Sequence, residues 1–103
     1  MVDFDTRTAQ LDDLLGVGRN FDMVGRSLST GGRRARLWVV NGYAEDALIE
    51  RMIGRLLAIR DLSGVPDLEA FLSAYVTVPD AAAETDTRAM TVGVFAGKTL
   101  LVI

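Results

Sequence analysis

The sequence predicts an α/β domain with a small mixed β-sheet and packed helices. Three observations favour this class: two strand-type runs separated by a glycine-rich stretch, a long apolar stripe at helical spacing after them, and a final apolar run. The first two runs predict an antiparallel hairpin, and the last predicts a parallel strand–helix–strand crossover with the second. We expect the 103 residues, 1–103, to form one domain.

The hairpin is predicted from Phe21–Ser29 and Arg34–Asn41, with the turn within Thr30–Arg33. Two glycines in a short connection suit a tight turn, because glycine adopts positive φ without strain. The hydroxyls, glycines and arginines of Ser29–Arg34 are also typical of a phosphate-binding loop. Such a loop leads from a strand into a helix, whose N-terminus holds the anion. A strand follows here, so the pattern favours the hairpin turn.

Four helices are predicted from apolar stripes at helical spacing. Their starts are assigned from capping residues or proline, and their ends from glycine. They are Thr6–Leu15, capped by Thr6 or Thr8, then Ala44–Arg60, a helix opened by Pro66, and Thr87–Ala96, capped by Asp86 and stopped by Gly97. Short strands are predicted at Val76–Val78 and Thr99–Ile103.

The long helix is predicted to lie on the sheet, with one shared core. The residues expected to be buried together are Leu48, Met52, Ile53, Leu56 and Trp38. The strand Thr99–Ile103 should lack a neighbour on one side, and an unpaired apolar edge recruits other strands. We therefore predict self-association through this edge or a neighbouring apolar surface, as a homo-oligomer and specifically a dimer.

Composition argues against most catalytic chemistry. The chain contains no histidine and no cysteine, and its single lysine is Lys98. The commonest general base and the commonest metal ligands are therefore missing. We expect no enzyme, no metal and no cofactor. The net charge of −3 gives no long-range attraction to nucleic acid. No apolar run has the length of about 18 residues that a membrane span needs, so we expect a soluble, cytosolic chain.

Two glycine-containing stretches resemble nucleotide-binding loops but do not have the spacing or the neighbouring helices and strands of such loops. Gly93–Thr99 resembles the end of a Walker A motif, but it has three residues between its glycines and is predicted to close a helix. Gly16–Gly18 follows a predicted helix, and Phe21 stands where a dinucleotide fingerprint needs its third glycine. The carboxylate pairs Asp12-Asp13 and Glu45-Asp46 point apart on a helix and are interpreted as solvated faces.

Asp22 and Arg26 form a less ordinary pair. On one strand face they stand about 13 Å apart, too far to pair with each other. Each therefore needs another partner. Structural ion pairs are the favoured interpretation, and a ligand contact is the alternative.

The stretch "NFDMVGRSLSTGGRRARLWVVNGYAEDALIERMIGRL" resembles the N-terminal soluble domain of the spore germination protein A-subunit family, which includes the GerA germinant-receptor A subunits and SpoVAF. The family pattern has Phe-Asp, a short apolar step and Arg, then a polar turn, an apolar strand ending in glycine, and a long helix. Later it has a helix that closes on glycine before an apolar strand. The matching residues are Phe21, Asp22, Arg26, Asn41, Gly42 and Gly97.

The resemblance covers Asn20 to Ile103. It implies a non-catalytic cytosolic module of a spore inner-membrane complex, whose other subunits are its partners, acting in nutrient-triggered germination and ion release. It also implies that the chain is a fragment or shortened form of a larger soluble region that precedes membrane helices. Ser27-Leu28-Ser29 replace the family's usual acidic and aromatic residues. A small-ligand-binding sensor domain is the alternative function, followed by a nucleotide-dependent enzyme.

Overall fold

The computed structural model describes residues 3–19, 22–41, 46–76 and 81–103. They form an α/β structure with four helices and a three-stranded sheet in the order β1-β2-β3. The elements in chain order are α1 (Phe4–Leu15), β1 (Met23–Thr30), β2 (Arg33–Val40), α2 (Asp46–Ala58), α3 (Leu68–Tyr75), α4 (Thr87–Phe95) and β3 (Leu100–Val102). The predicted class is therefore confirmed in its coarse form.

The predicted hairpin is confirmed. β1 and β2 pair antiparallel from Met23 opposite Val40 to Thr30 opposite Arg33. The turn is Gly31-Gly32, and both glycines have positive φ, 57° and 81°. Two consecutive residues with positive φ make the type I′ turn that matches the twist of the flanking strands. The phosphate-loop alternative is wrong, because a strand and not a helix begins directly after the glycines.

The predicted parallel crossover is wrong. β3 runs antiparallel to β2, with Leu100 opposite Trp38. α2 leads the chain from the end of β2 to the hairpin turn, where the Gly31 N–H donates to the carbonyl oxygen of Ile59 at 2.9 Å. A strand beginning there would have been parallel to β2. Instead, the chain through α3 and α4 returns to the end where β2 finished. The sheet is therefore antiparallel rather than mixed throughout the described residues.

Helices cover both faces of the sheet. One face packs against α1 and α4, and its buried residues are Leu11, Leu15, Met23, Trp38, Met90 and Val94. The other face packs against α2 and α3, and its buried residues are Leu37, Val39, Ile53, Leu56, Leu62 and Phe71. The continuous apolar run of β2 follows from this arrangement, because a central strand covered on both sides needs apolar residues at every position.

The predicted shared core is confirmed only for Ile53 and Leu56 of the helix, and it is wrong for Leu48 and for the tryptophan. Successive side chains of a strand point to opposite faces. Leu37 and Val39 face α2, so Trp38 faces α1 and α4. On α2, Ile53 and Leu56 are buried and Met52 is half-buried, as predicted, whereas Leu48 is 47% exposed.

Two predicted helix starts are wrong. Asp3, not Thr6 or Thr8, caps α1, and its carboxylate accepts from the Thr6 N–H at 2.7 Å. Asp67 caps α3, so Pro66 lies just outside that helix. In each helix an aspartate carboxylate accepts from a free N–H group of the first turn: Asp3 lies one turn before Thr6, and Asp67 directly follows Pro66. The predicted cap of α4, Asp86, is confirmed.

The short strand predicted at Val76–Val78 is not present at Val76, which is the C-cap residue directly after α3. Its other two residues lie outside the described part of the chain. The same is true of Ala44 and Glu45, at the predicted start of the long helix.

Candidate functional site

Three residues of the family pattern lie at one end of the sheet. Asp22 precedes β1 and Asn41 follows β2, and the Asn41 N–H donates to the Asp22 carbonyl oxygen at 2.7 Å. Gly97, with φ of 100°, comes shortly before β3, which begins at this same end. We call this the motif end and define it by these three residues. The exposed side chains of Asp22 and Asn41 lie on its surface.

The other three candidates are placed differently. Arg26 is exposed and lies within β1, opposite Leu37, away from the motif end. Phe21 and Gly42 lie outside the described residues. The choice between structural ion pairs and a ligand contact for Asp22 and Arg26 stays a prediction.

A polar cluster between α1 and the sheet was not predicted. One carboxylate oxygen of Asp12 accepts from Arg36 Nε at 2.9 Å and from Trp38 Nε1 at 2.8 Å. Arg36 Nη1 also donates to Ser27 Oγ at 2.8 Å, and its guanidinium lies 5.6 Å from the centre of the Trp38 ring. Asp12 therefore fixes both an arginine and the buried indole N–H.

Helix spacing gave a signal for this cluster. Asp12 lies four residues after Thr8 and three before Leu15, both of which are buried on the sheet side of α1. The interpretation of Asp12-Asp13 as a solvated face is correct only for Asp13, whose side chain is 76% exposed and pairs with Arg19. It is wrong for Asp12, whose side chain is 35% exposed.

The arginines after the turn also serve the fold. Arg34 binds the Asp5 carboxylate through both terminal nitrogens, at 2.6 and 3.1 Å, and lies 5.0 Å from the centre of the Phe4 ring. The hydrogen bonds to Asp5 raise the pKa of Arg34. A cavity of about 310 Å³ opens between α1 and the sheet, lined in part by Asp5, Asp12, Arg34 and Arg36. Each of these arginines is matched by an aspartate, so the cavity offers an anion no excess positive charge.

Within the described residues, the structure brings no group of potential metal ligands together and gives the Walker-like stretch no phosphate site. Asp5 and Asp12 are each in an ion pair with an arginine, at 2.6 and 2.9 Å. No group of three or more potential metal ligands occurs in the described ranges. The Walker-like stretch Gly93–Thr99 ends α4 and leads into β3, as predicted, so it lacks the helix N-terminus that would hold a phosphate.

A larger, mostly apolar groove lies beside β3. Its volume is about 570 Å³. β3 forms one side, α2 with α3 and α4 form two walls, and residues 81–84 form a further part of the wall. Its apolar lining includes Met52, Phe71, Met90 and Leu101. β3 is the last strand of the sheet, so alternate N–H and C=O groups along it point away from β2 and toward this groove.

Two charged residues, Lys98 and Glu84, line the groove. Lys98 precedes β3, and its aliphatic side chain passes close to Gly93 of α4. A Cβ built on Gly93 would lie 3.6 Å from Lys98 Cδ. Glu84 accepts a hydrogen bond from the Asp86 N–H at 3.1 Å, just before α4. The sequence signal around Lys98 was the Walker-like stretch Gly93–Thr99, which does not predict that Lys98 lies at this groove.

Comparison with protein-family models, curated proteins and solved structures found no match. Within the described ranges, no helix combines the length and apolar character needed to cross a bilayer.

Proposed function

We propose that this domain is a non-catalytic assembly and signalling module of a spore germination receptor-like membrane complex, acting in nutrient-triggered germination. The observation that carries the proposal is the motif end. Asp22, Asn41 and Gly97 come from three separate parts of the chain and lie at one end of the sheet. Asp22 and Asn41 are exposed there, and exposed polar residues at the end of a rigid sheet are well placed to contact another protein.

The chemistry of the chain supports a non-catalytic role. It has no histidine or cysteine. Asp5 and Asp12 are held in ion pairs with arginine, at 2.6 and 2.9 Å. These carboxylate oxygens accept hydrogen bonds from arginine, which is a structural use of both residues.

The partners of the proposed module are the other subunits of the complex. Through them, or through a further region of the protein, the domain would lie on the cytoplasmic face of the spore inner membrane. The resemblance over Asn20–Ile103 is the basis for this placement. The arrangement of the motif end supports a contact with another subunit at that end. Arg26 would make a separate contact from the exposed surface of β1.

Site-specific photo-crosslinking in spores tests this proposal. A photo-crosslinking amino acid replaces Asn41, and a control protein carries it at Glu69, an exposed residue in the first turn of α3. We expect the Asn41 variant to give a discrete crosslink to another membrane subunit in the spore inner-membrane fraction, and the Glu69 variant to give none. Absence of the domain from that fraction, or equal crosslinking from both positions, contradicts the proposal.

The second candidate is a small-ligand sensor, which the groove beside β3 favours. Its volume of about 570 Å³ falls within the ~300–1,000 Å³ typical of small-molecule sites. A thermal-shift screen against amino acids, sugars and nucleotides separates the candidates, because a ligand bound only by the folded state raises the unfolding midpoint. A nucleotide-dependent enzyme has the least support, since Lys98 follows a helix end instead of preceding a helix start.

A further inference from the structure

We infer that the groove beside β3 binds a small, apolar carboxylic acid, with the carboxylate at Lys98 and the aliphatic chain between the two helical walls. This inference names a ligand class for the sensor function. It does not depend on the germination proposal, because it is argued from the groove alone.

The walls select an apolar ligand. Met52 of α2 and Phe71 of α3 stand on one side, Met90 of α4 on the other, and Leu101 of β3 between them. Methionine side chains adapt to ligands of different shape because they are unbranched and polarisable. A hydrocarbon chain placed here leaves water and contacts side chains on both sides, which favours binding in proportion to the apolar area removed from water.

Lys98 selects the charge of the ligand. It is the single lysine of the chain. The ion pairs among the described residues are Arg19–Asp13, Arg34–Asp5 and Arg36–Asp12, so none of them uses Lys98. The other charged residue of the lining, Glu84, is directed to the Asp86 N–H. An incoming carboxylate therefore meets an unpaired ammonium group and the outward N–H groups of β3.

The wall opposite β3 favours a small molecule over a protein strand. A free sheet edge usually accepts another strand. Here residues 81–84 also line the groove, so the space beside β3 is walled on several sides rather than open as at a free sheet edge. A strand from another chain, or from a second copy of this one, would have to enter that walled space. A small acid fits the space as it stands.

Calorimetric titration with octanoate, 1-octanol and octylamine tests the inference. The three probes share a chain length and differ in charge. We expect the native protein to bind octanoate about tenfold or more tightly than octylamine, since the carboxylate gains a charge-assisted hydrogen bond from Lys98 whereas the alkylammonium meets a like charge. Octanoate should also shift the amide resonances of Leu100–Ile103 in NMR spectra. Equal affinities for the three probes, or octanoate-induced shifts confined to other regions, would overturn the inference.

Three substitutions in the groove and one control make the test specific. Lys98→Met should remove the preference for octanoate over octanol, and Lys98→Arg should retain it. Gly93→Leu should weaken the binding of all three probes by placing a side chain in the groove. A Cβ at Gly93 makes only an ordinary contact with Lys98, and circular dichroism checks that the larger leucine leaves the fold intact. Arg88→Met, on the exposed surface of α4, is the matched control and should leave binding unchanged. Octanoate preference that survives Lys98→Met contradicts the assigned role of Lys98.

A strand-binding groove or a self-associating edge would give different results. Line broadening that grows with protein concentration and is unaffected by octanoate would identify a second copy as the occupant and overturn the inference. Failure of octanoate to bind would leave the crosslinking result from Asn41 untouched, so the two proposals fail separately.

Discussion

Asp12 illustrates how one carboxylate can join a helix to a sheet. Its oxygen accepts from Arg36 on a half-buried strand position and from the indole N–H of Trp38, whose residue is fully buried. Removing this acceptor would leave the indole N–H and Arg36 Nε, on a side chain that is only 16% exposed, without the oxygen that they share. Such losses weigh more than the deletion of a solvent-exposed ion pair.

We predict that Asp12→Ala lowers the free energy of unfolding by about 1–3 kcal/mol, since it leaves buried donors unsatisfied. The adjacent substitution Asp13→Ala is the control. It removes an exposed ion pair with Arg19 and should cost about 0–1 kcal/mol. Urea denaturation followed by tryptophan fluorescence measures both. Equal losses for the two variants would show that the Asp12 cluster contributes nothing special.

A pH dependence follows from the cap of α1. The hydrogen bond from the Thr6 N–H lowers the pKa of Asp3 below its ordinary value of 3.8. A group whose pKa is depressed by folding stabilises the folded state above its unfolded pKa, and this contribution is lost as the pH falls through the folded pKa. Asp3→Ala should therefore be less stable than the native protein at neutral pH, with the difference shrinking below pH 3.8.

Thermal unfolding of both proteins across this pH range checks the prediction. Asp3→Asn is the matched control, because asparagine caps a helix without titrating. A stability difference between the native protein and Asp3→Ala that stays constant on acidification would contradict the assigned role of the charged cap.

At the scale of elements, the turn between β1 and β2 also fixes the end of α2. Gly31 has φ of 57°, and its N–H donates to Ile59 just after the helix. A Cβ on Gly31 would collide with Cγ of Leu62, whereas one on Gly32 would meet nothing within 4 Å. The two glycines therefore have the same backbone requirement and different packing requirements.

We predict that Gly32→Ala costs about 1–2 kcal/mol, the penalty of a left-handed conformation. Gly31→Ala should cost about 1–3 kcal/mol more, since Leu62 and the segment after α2 must also move. Chemical denaturation of the two variants gives both values. A Gly31 variant as stable as the Gly32 variant would mean that Leu62 accommodates the methyl group freely.

A second element-scale prediction concerns the buried side of α2. Leu56→Ala should cost about 2–5 kcal/mol, because it leaves a cavity beneath the helix. Leu57→Ala, at a neighbouring position that is 51% exposed, should change stability by less than about half a kcal/mol. Denaturant titration distinguishes them, and the reverse order would show that the helix presents another side to the sheet.

Local patterns predicted the elements well and their arrangement less well. The Gly31-Gly32 turn and the Asp86 cap depend on adjacent residues, so the sequence contains their signal. The face of the sheet on which Trp38 lies cannot be predicted from adjacent residues. Leu37–Val40 are four consecutive apolar residues, so they show no alternation from which to assign a face. The direction of β3 depends on where three helices return the chain, which no local pattern encodes.

One candidate site was indicated by the sequence and the other was not. The resemblance named residues that meet at the motif end, although the approach of Asp22 to Asn41 depends on strand register rather than on sequence spacing. The groove beside β3 was not predicted. It arises because α3 and α4 lie on opposite faces of the sheet, so residues of the segment that joins them line the space beside β3.

At the scale of the whole molecule, self-association through Thr99–Ile103 stays a prediction. β3 is an edge strand with half-buried apolar residues, which favours pairing with another chain. The groove that we assign to a small acid lies along the same edge, so we expect the dimer to form at high protein concentration and to dissociate when octanoate is added. Sedimentation equilibrium measures this directly. A strict monomer contradicts the prediction, and a dimer that persists in Leu101→Lys places the interface elsewhere.

The central claim is that this domain acts, without catalysis, in nutrient-triggered germination. The most direct test measures ion release after nutrient addition in spores that lack the gene and in spores complemented with the native or the Asn41→Lys protein. We predict that loss of the gene slows or abolishes release, that the native protein restores it, and that Asn41→Lys does not, although it accumulates and folds normally. Unchanged ion release in spores lacking the gene would contradict the claim.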